Sequence, residues 1–291
     1  MNMFINKCRS QHGVALIAVL WVLAFLATIA STVAHQSRSS LQITKNRIDQ
    51  LKVKQAAESA VLFIVADLIN APSGDLYTQD LLNSEYQDIN IKLSYFDEAG
   101  KVDLNSVPAS VMVSLLNVIG VADEQSLMIS DAILDWRDED NLKRIDGAED
   151  NDYAASGYLY GSSDAEFERI EELKLVYGMN EEIYNAISPY VTVYTQDYGV
   201  NLSVASNVVQ TAVNNATTLG EIDSSVTDDN EVDEDDIGED ERFTSLTQGY
   251  IYTIKAIATT ESGVSHEIST TVRLDRGNIY EPFTILKWMQ I

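Results

Sequence analysis

One apolar stretch decides the fold of this chain: VALIAVLWVLAFLATIASTVA, which runs from Val14 to Ala34 without a charged side chain. An α-helix of these 21 residues is long enough to span the ~30 Å hydrocarbon core of a bilayer. The preceding leader, residues 1–13, carries Lys7 and Arg9 as its charged side chains. Because positively charged flanks stay in the cytoplasm, the sequence predicts a single membrane anchor with the remaining chain on the opposite side.

The residues after the apolar stretch indicate a continuous helix. A cleaved signal peptide and a plain signal anchor are the alternatives, and Thr32 to Ala34 offers a weak cleavage site. However, no Gly or Pro stands between Val14 and Ile69. Apolar residues then recur at the spacing of a helix stripe: Val53, Ala57, Ala60, Val61, Ile64 and Leu68. The sequence predicts one helix of about 80 Å, half in the membrane and half packed on an external domain.

Composition and charge exclude several classes of function. The chain has 291 residues, 45% of them hydrophobic, and can hold two domains. Its 45 Asp and Glu against 19 Lys and Arg give a net charge of −26, which argues against nucleic-acid partners because these are bound by neutralising phosphates. The only cysteine, Cys8, lies in the leader, and the histidines are His12, His35 and His266. We therefore expect no disulfide, no Ser-His-Asp triad and no His-rich zinc site, and predict that the protein is not an enzyme.

The rest of the chain predicts an α+β fold. Residues 88–97 alternate as a half-buried strand does, and after a turn at 97–100 the chain starts back over Lys101 to Asn105. Three further strands are predicted over 250–259, 264–274 and 280–289. Between them the sequence predicts four short helices with no strand among them: from a capping Ser106 to about Ile119, Asp123 to Asp135, Ala165 to Tyr177, and Asn180 to Ile187. The expected architecture is a long helix packed on an antiparallel β-sheet, with an all-α unit inserted into the sheet domain.

The N-terminal segment resembles the class III signal of type IV pilins and type II secretion pseudopilins, in which a basic leader ends in Gly directly before an apolar helix. The resemblance implies that a prepilin peptidase cuts between Gly13 and Val14 and methylates the new N-terminus. Most pilins carry a Glu at the fifth residue after the cut, where this chain has Ala18. The K-type minor pseudopilin is the branch that lacks this Glu and lies at the tip of the assembly. A tolerated substitution is the alternative explanation.

The inserted unit carries longer matches to the same branch. Its phrases resemble the helical domain of K-type pseudopilins and lie at residues 102–109, 131–140, 147–153, 167–179 and 189–194. The first phrase also resembles helix-hairpin-helix modules, but acidic neighbours such as Asp123 argue against DNA binding. Val200 to Val209 resembles the start of a second, weaker copy. It runs into Glu221 to Glu241, where twelve of 21 residues are acidic, and we predict a surface loop there, with a cation site as the alternative.

These observations divide the chain into six predicted segments around a pilin-like fold. They are a prepilin leader (1–13), a transmembrane helix (14–34), the first part of a pilin domain (35–104), an inserted helical domain that is SAM-like or helix-hairpin-helix-like (105–189), a second short helical unit with the acidic loop (190–245), and the C-terminal strands that complete the pilin domain (246–291).

The loop from Asp135 to Tyr153 is the candidate metal site. Its carboxylates are Asp135, Asp138, Asp140, Asp146, Glu149, Asp150 and Asp152. Calcium takes roughly six to eight oxygen ligands, which such a loop can supply, although the spacing is not that of an EF-hand. A solvated acidic loop, partly neutralised by nearby basic side chains, is the alternative. The resemblance to K-type pseudopilins implies structural calcium here, with Asp138, Asp140, Glu149 and Asp152 as the first expected ligands.

The resemblance as a whole implies a minor pseudopilin of a type II secretion system. Such a subunit lies in the inner membrane as a single-pass protein with its globular part in the periplasm. It would form a tip complex with the I- and J-type minor pseudopilins, initiating or capping the pseudopilus and supporting export of folded proteins across the outer membrane. Further implied partners are the major pseudopilin, the inner-membrane secretion platform and the prepilin peptidase. The alternatives are a minor pilin or tip adhesin of a type IV pilus and a calcium-dependent periplasmic enzyme.

Overall fold

The computed structural model of the protein describes residues 12–70, 82–86, 88–224, 243–245 and 250–290. Six helices and seven strands lie in these residues: α1 (His12–Asn70), β1 (Leu82–Tyr86), β2 (Ile89–Asp97), β3 (Val102–Asp103), α2 (Ala109–Val118), α3 (Asp123–Arg137), α4 (Asp150–Ala155), α5 (Glu181–Ile187), β4 (Val191–Thr192), α6 (Asn207–Ser224), β5 (Ile251–Thr260), β6 (Ser265–Leu274) and β7 (Phe283–Gln290). Short 3₁₀ turns cover Glu98–Gly100, Ile170–Leu175 and Ser188–Tyr190. The α+β prediction is confirmed.

Helix α1 continues without interruption from the apolar stretch into the globular part of the chain. Among the described residues it is the one helix long and apolar enough to cross a membrane. Its last third buries an apolar stripe, Val53, Ala56, Ala57, Val61, Ile64, Val65 and Leu68, while Ala60 is half-buried. The predicted stripe is therefore the face that packs, because residues three and four apart share one side of a helix.

This stripe covers one face of an antiparallel five-stranded sheet with the order β1-β2-β5-β6-β7. Alternate residues of β2 point toward the helix, and Ile89, Ile91, Leu93 and Tyr95 are all buried. Ala256 and Ala258 of β5 are fully buried in the same core. Their small side chains allow the helix to lie close to the central strands. Strand β1 was not predicted, because the sequence LNSEY does not show the alternation of a half-buried strand.

Two contacts define the ends of the sheet relative to α1. The β5–β6 turn lies beside the part of the helix nearer the apolar stretch, where Ser262 Oγ is 3.4 Å from Asp49 Oδ2. The β6–β7 loop lies at the other end, where Arg276 Nη2 donates to the carbonyl oxygen of Leu68 at 3.1 Å. Strand β2 therefore begins at the end of the sheet nearer the apolar stretch and ends, at Asp97, at the far end.

The chain between β2 and β5 forms a second apolar core at that far end of the sheet. The core joins α2, α3 and α6 with the segments around Tyr153, Phe167 and Leu173. Helix α2 packs against both α3 and α6. The backbone N–H of Asn201 donates to the carbonyl oxygen of Ala99 at 2.8 Å, and Lys287 of β7 pairs with Glu171 at 3.0 Å. The helical insertion is thus attached directly to the sheet.

A buried carboxylate organises the base of this insertion. Asp103 is 2% exposed and accepts hydrogen bonds from the backbone N–H groups of Asn105, Thr195 and Gln196 and from the Thr195 hydroxyl, all at 2.8–2.9 Å. The same residue ends β3, which pairs in parallel with β4. The Asn105 side chain exchanges two hydrogen bonds with the backbone of Phe167. These contacts join chain segments that are about 60 to 90 residues apart.

Several predicted details of the insertion are wrong. Strand β4 lies at its base, where no strand was expected, and α4 lies in a segment taken for loop. The predicted helix over 165–177 is only the 3₁₀ turn Ile170–Leu175, of which Leu173 is the buried member. Ser106 is not the cap of α2; its hydroxyl donates to the carbonyl oxygen of Asp197, and Pro108 stands at the N-cap position.

The second helical unit is longer than its sequence suggested. Helix α6 continues to Ser224, so the backbone of the first four residues of the predicted acidic loop is helical. The rest of that loop, from 225 to 241, lies outside the described residues, and so does most of the leader. Strands β5, β6 and β7 lie within about three residues of their predicted bounds.

Candidate functional site

The acidic loop begins where α3 ends, and Asp135 is its most buried carboxylate. Asp135 is 0% exposed and accepts hydrogen bonds from the Arg144 backbone N–H at 3.3 and 3.2 Å. Burial, followed by the negative charge of Asp138, raises the pKa of Asp135 to about 6, although the N–H groups of Arg144 and Ala148 oppose the shift. Gly147 passes so close that a Cβ there would lie 1.9 Å from Asp135 Oδ2, which explains the glycine.

Asp138 and Glu149 hold the unsatisfied oxygens of the site. Asp138 Oδ1 and Glu149 Oε1 are buried and lack a hydrogen-bond partner among the described residues. Burial is the largest cause that raises the pKa of each, and Asp140 adds to the shift at Asp138. The charges of Asp135 and Asp138 raise the pKa of Glu149 further. Buried oxygens without donors and mutual repulsion of carboxylates are the conditions that a bound cation relieves.

Ser162 and Asp164 join this group, although the sequence did not indicate them. The Ser162 hydroxyl lies 2.9 Å from Glu149 Oε2, 2.8 Å from Asp164 Oδ1 and 3.4 Å from Asp150 Oδ1. A hydroxyl has one hydrogen, so it can satisfy only one of these three carboxylates at a time. Asp164 also has φ = 51°, a left-handed conformation that Asp tolerates. That conformation depends on the fold, and no local sequence signal distinguished Asp164 from the other acids.

The other predicted ligands have different surroundings. Asp152 pairs with Lys143 at 2.8 Å and accepts the Glu149 backbone N–H, and these contacts lower its pKa. It forms a capping box with Glu149 at the start of α4. Asp140 is exposed and accepts the Leu142 backbone N–H at 2.7 Å. Asp146 and Asp150 are exposed as well.

The site therefore offers the oxygen ligands that a hard cation prefers, but these ligands do not enclose a metal ion. Its candidate ligands are oxygen atoms, as calcium prefers, although the Arg144 guanidinium also lies 3.5 Å from Asp135 Oδ1. Within the described residues, no three His, Cys, Asp or Glu side chains are grouped closely enough to enclose a metal ion. Asp138 and Glu149, with Asp135 and Asp164 as negatively charged neighbours, fit a calcium ion in chemistry and in unsatisfied charge. A closed shell would require these side chains to approach one another.

An aromatic cluster supports the loop from behind. Tyr153 is fully buried, accepts the Tyr177 backbone N–H on its hydroxyl at 2.9 Å, and lies 6.0 Å from Trp136 between ring centroids. The loop itself has few such contacts, and its apolar residues Leu142 and Ile145 are 77% and 95% exposed. A cation here would stabilise a loop that the core does not hold.

The predicted processing and assembly residues lie at the start of α1. Gly13 and Val14 are in its first turn, and Ala18 is exposed on the apolar stretch. The helix surface stays exposed from there to Ile48. It carries isolated large apolar side chains such as Leu41 and Leu51, and Phe63 remains 70% exposed beside the sheet.

Comparison with known proteins finds similarity to one family. The family described as "Type II secretion system (T2SS), protein K" matches residues 89–196, from the start of β2 to just beyond β4. Type II secretion system protein K of Klebsiella pneumoniae is 27% identical over 223 residues, which cover 69% of this chain and 67% of the relative. The Pectobacterium carotovorum subsp. carotovorum protein is 27% identical over 204 residues, 62% of each chain. The Pseudomonas aeruginosa protein is 26% identical and covers 70% of this chain and 68% of its own.

A solved structure shows the same fold. The crystal structure of the GspK-GspI-GspJ complex from the enterotoxigenic Escherichia coli type 2 secretion system contains a chain that matches with a TM-score of 0.59. The match covers 88% of this chain and 99% of that chain at 16% sequence identity. The shared fold, the family match over residues 89–196 and the several relatives described as protein K agree with one another. The resemblance to the K-type minor pseudopilins that the sequence predicted is therefore confirmed: this chain is similar to type II secretion system protein K in sequence, and it shares the fold of the solved complex's chain.

Proposed function

We propose that this protein is the tip subunit of a type II secretion pseudopilus, where it initiates or caps the assembly and supports export of folded proteins across the outer membrane. One observation carries the proposal: the helical insertion lies at the end of the sheet away from the apolar stretch. The contacts of Ala99 with Asn201 and of Lys287 with Glu171 hold it there. A folded unit at that end leaves no room for a further subunit to stack above it, so growth would proceed only below.

The anchor supports the proposed location. The apolar part of α1 would cross the inner membrane once, with the sheet and the insertion in the periplasm. A prepilin peptidase would cleave between Gly13 and Val14 and methylate the new amine. A tip subunit has no neighbour above whose N-terminal amine needs a carboxylate, and Ala18 avoids a costly unpaired charge in the bilayer.

The exposed surface of α1 is the proposed contact with other subunits. The related complex joins GspK with GspI and GspJ. In this chain, Leu62 and Phe63 are 54% and 70% exposed on the helix side that does not face the sheet. We propose that they pack against I- and J-type minor pseudopilins, with the major pseudopilin and the inner-membrane platform as further partners during assembly. The protein would act by packing, without catalytic turnover.

Calcium is the proposed structural cofactor. Asp138 and Glu149 would bind it, with Asp135 and Asp164 adding negative charge. Bound calcium would neutralise the mutual repulsion of these carboxylates and order the loop between α3 and α4. This proposal is independent of the assembly role and can fail separately.

Complementation and crosslinking in a bacterium that lacks its own copy test the assembly role. We expect the full chain to restore secretion, and a photo-reactive residue at position 63 to crosslink to the I- or J-type subunit. The same residue at position 159, where Leu159 is fully exposed on the insertion, is the matched control and should not crosslink to them. Restored pilus formation without restored secretion would instead support a type IV pilus subunit, a function that the protein K match does not favour.

A further inference from the structure

Charge is strongly segregated along this chain. The first acidic residue is Asp49, although the chain contains 45 Asp and Glu. From residue 59 onward lie 43 of these acids and only 12 of the 19 Lys and Arg. The helix between the apolar stretch and the sheet is the basic part, with Arg38, Lys45 and Arg47 before the first acid. These three residues are called the basic collar below.

The collar is fully available for an external partner. Helix α1 is continuous through this region, and every residue from His35 to Ile48 is exposed. The first residue that packs on the sheet is Val53. No ion pair between described residues involves the collar. Its positive charge is therefore not neutralised within the described part of the molecule.

The position of the collar is set by the same helix that forms the anchor. At a rise of ~1.5 Å per residue, Arg38 lies about 6 Å beyond Ala34, Lys45 about 16 Å and Arg47 about 20 Å. Long basic side chains extend back along a helix toward the membrane surface. Attraction to anionic lipid falls off over about 8 Å at physiological salt. Arg38 thus lies at headgroup level, and Lys45 and Arg47 lie in the adjacent layer.

We propose that the basic collar binds anionic phospholipid headgroups on the outer face of the membrane. The inference rests on the membrane anchoring in the proposed function. Two observations favour a lipid over an acidic protein: the charges begin four residues after the apolar stretch, and the neighbouring side chains of Gln36, Ser37, Ser39 and Ser40 can hydrogen-bond to phosphate. The acidic globular part is repelled by the same surface. The two forces together hold α1 upright and keep the sheet away from the bilayer.

Lipid binding to the full chain tests this directly. The protein is purified in a neutral detergent, and bound phosphatidylglycerol or phosphatidylcholine is counted by native mass spectrometry at increasing salt. We expect a preference for phosphatidylglycerol that declines with salt. Each cation near the surface contributes about fivefold, so R38Q/K45Q/R47Q should lose most of the preference. The matched control K174Q/K255Q/R273Q removes the same charge from the globular part and should keep it.

Equal binding of the two lipids by the unchanged protein would overturn the inference, as would an equal loss of preference in the control. A collar variant that keeps the preference would overturn it as well. Thermal unfolding of R38Q/K45Q/R47Q should match that of the unchanged protein, because the collar makes no contact with the sheet. The control variant loses the ion pairs of Lys174 with Glu181 and of Lys255 with Glu267, so its lipid preference is compared at a temperature where it is fully folded. Carbonate extraction of native membranes distinguishes failure of the membrane anchor from failure of lipid binding by the collar. Release of the chain would contradict the anchor. A chain that stays in the membrane but shows no lipid preference would contradict only the binding by the collar.

Discussion

The sheet core and the helical insertion are built in different ways. In the sheet core, one stripe of α1 packs on alternating residues of β2 and β5, so periodic patterns in the sequence determine the contacts. In the insertion, single residues join distant segments: Asp103 binds the turn at Thr195, and Asn105 binds Phe167. The comparison teaches that burial of regularly spaced apolar side chains stabilises the sheet core. In the insertion, a few buried polar groups determine the path of the chain.

Loss of the Asp103 carboxylate should have the largest effect. In D103A, four donors at 2.8–2.9 Å lose their acceptor in a buried site, and we expect a loss of about 3–5 kcal/mol of stability in the insertion. Denaturant unfolding of the full chain in detergent, followed by fluorescence of Trp136, measures it.

The control for this variant is E281A, which removes an exposed carboxylate from the β6–β7 loop and should change stability little. Fluorescence of Trp288, in β7, reports on the sheet in the same experiment. A D103A protein with unchanged Trp136 unfolding would show that the hydrogen bonds of Asp103 do not determine the insertion.

The sheet core should respond to lost apolar volume instead. Ile254 of β5 is 0% exposed below α1, and I254A should cost about 2–5 kcal/mol through lost burial and the cavity left behind. The expected readout is earlier loss of Trp288 fluorescence, with a smaller change at Trp136. I257A, at a half-buried position on the same strand, is the control. Identical shifts of both tryptophans would mean that the two regions unfold as one unit.

Calcium should stabilise the insertion and leave the sheet unchanged. At a calcium concentration about a hundredfold above Kd, binding adds about 2.7 kcal/mol of stability. We expect E149Q to abolish this gain, and also to stabilise the protein in chelator, because an amide there removes a charge that Asp135 and Asp138 repel. D146N changes an exposed carboxylate and should retain the gain. Thermal unfolding of the unchanged protein, E149Q and D146N is measured with calcium, with magnesium and with a chelator. If calcium stabilises E149Q as much as the unchanged protein, Glu149 is not a calcium ligand.

The ion pair between the two regions should contribute least. Lys287 and Glu171 lie 3.0 Å apart and are 24% and 49% exposed, so K287Q should cost less than about 1 kcal/mol. A double-mutant cycle with E171Q gives the coupling energy between the regions. K255Q, which breaks the comparable pair with Glu267 inside the sheet, is the control. A coupling energy near zero would show that this ion pair does not couple the two regions.

The sequence correctly predicted the regions in which buried residues recur at regular spacing. The stripe from Val53 to Leu68 and the alternation from Ile89 to Tyr95 are visible because every second, third or fourth residue faces the same core. The helices of the insertion were less predictable. Helix α4 is short and depends on Tyr153 for its burial, and the segment around Leu173 has too few buried residues to show whether it is an α-helix or a 3₁₀ turn.

The candidate site shows the same limit at the level of single carboxylates. The sequence identified an acidic loop but could not rank its members, because the partner of each is determined by the tertiary structure. Asp152 has Lys143 within 2.8 Å, whereas Glu149, three residues earlier, retains a buried oxygen without a donor. Ser162 and Asp164 come from a separate turn, and only the fold brings them to Glu149.

Parallel pairings at the base of the insertion have a consequence for how this protein can vary in length. Val102 pairs with Val191, and Val200 pairs with Thr244. The segments 103–190 and 201–243 are therefore two excursions, each of which begins and ends at paired residues. Residues added or removed within either excursion would not change the strand register of the sheet. The two excursions can therefore diverge in size between species while the pilin-like body that carries them keeps its dimensions.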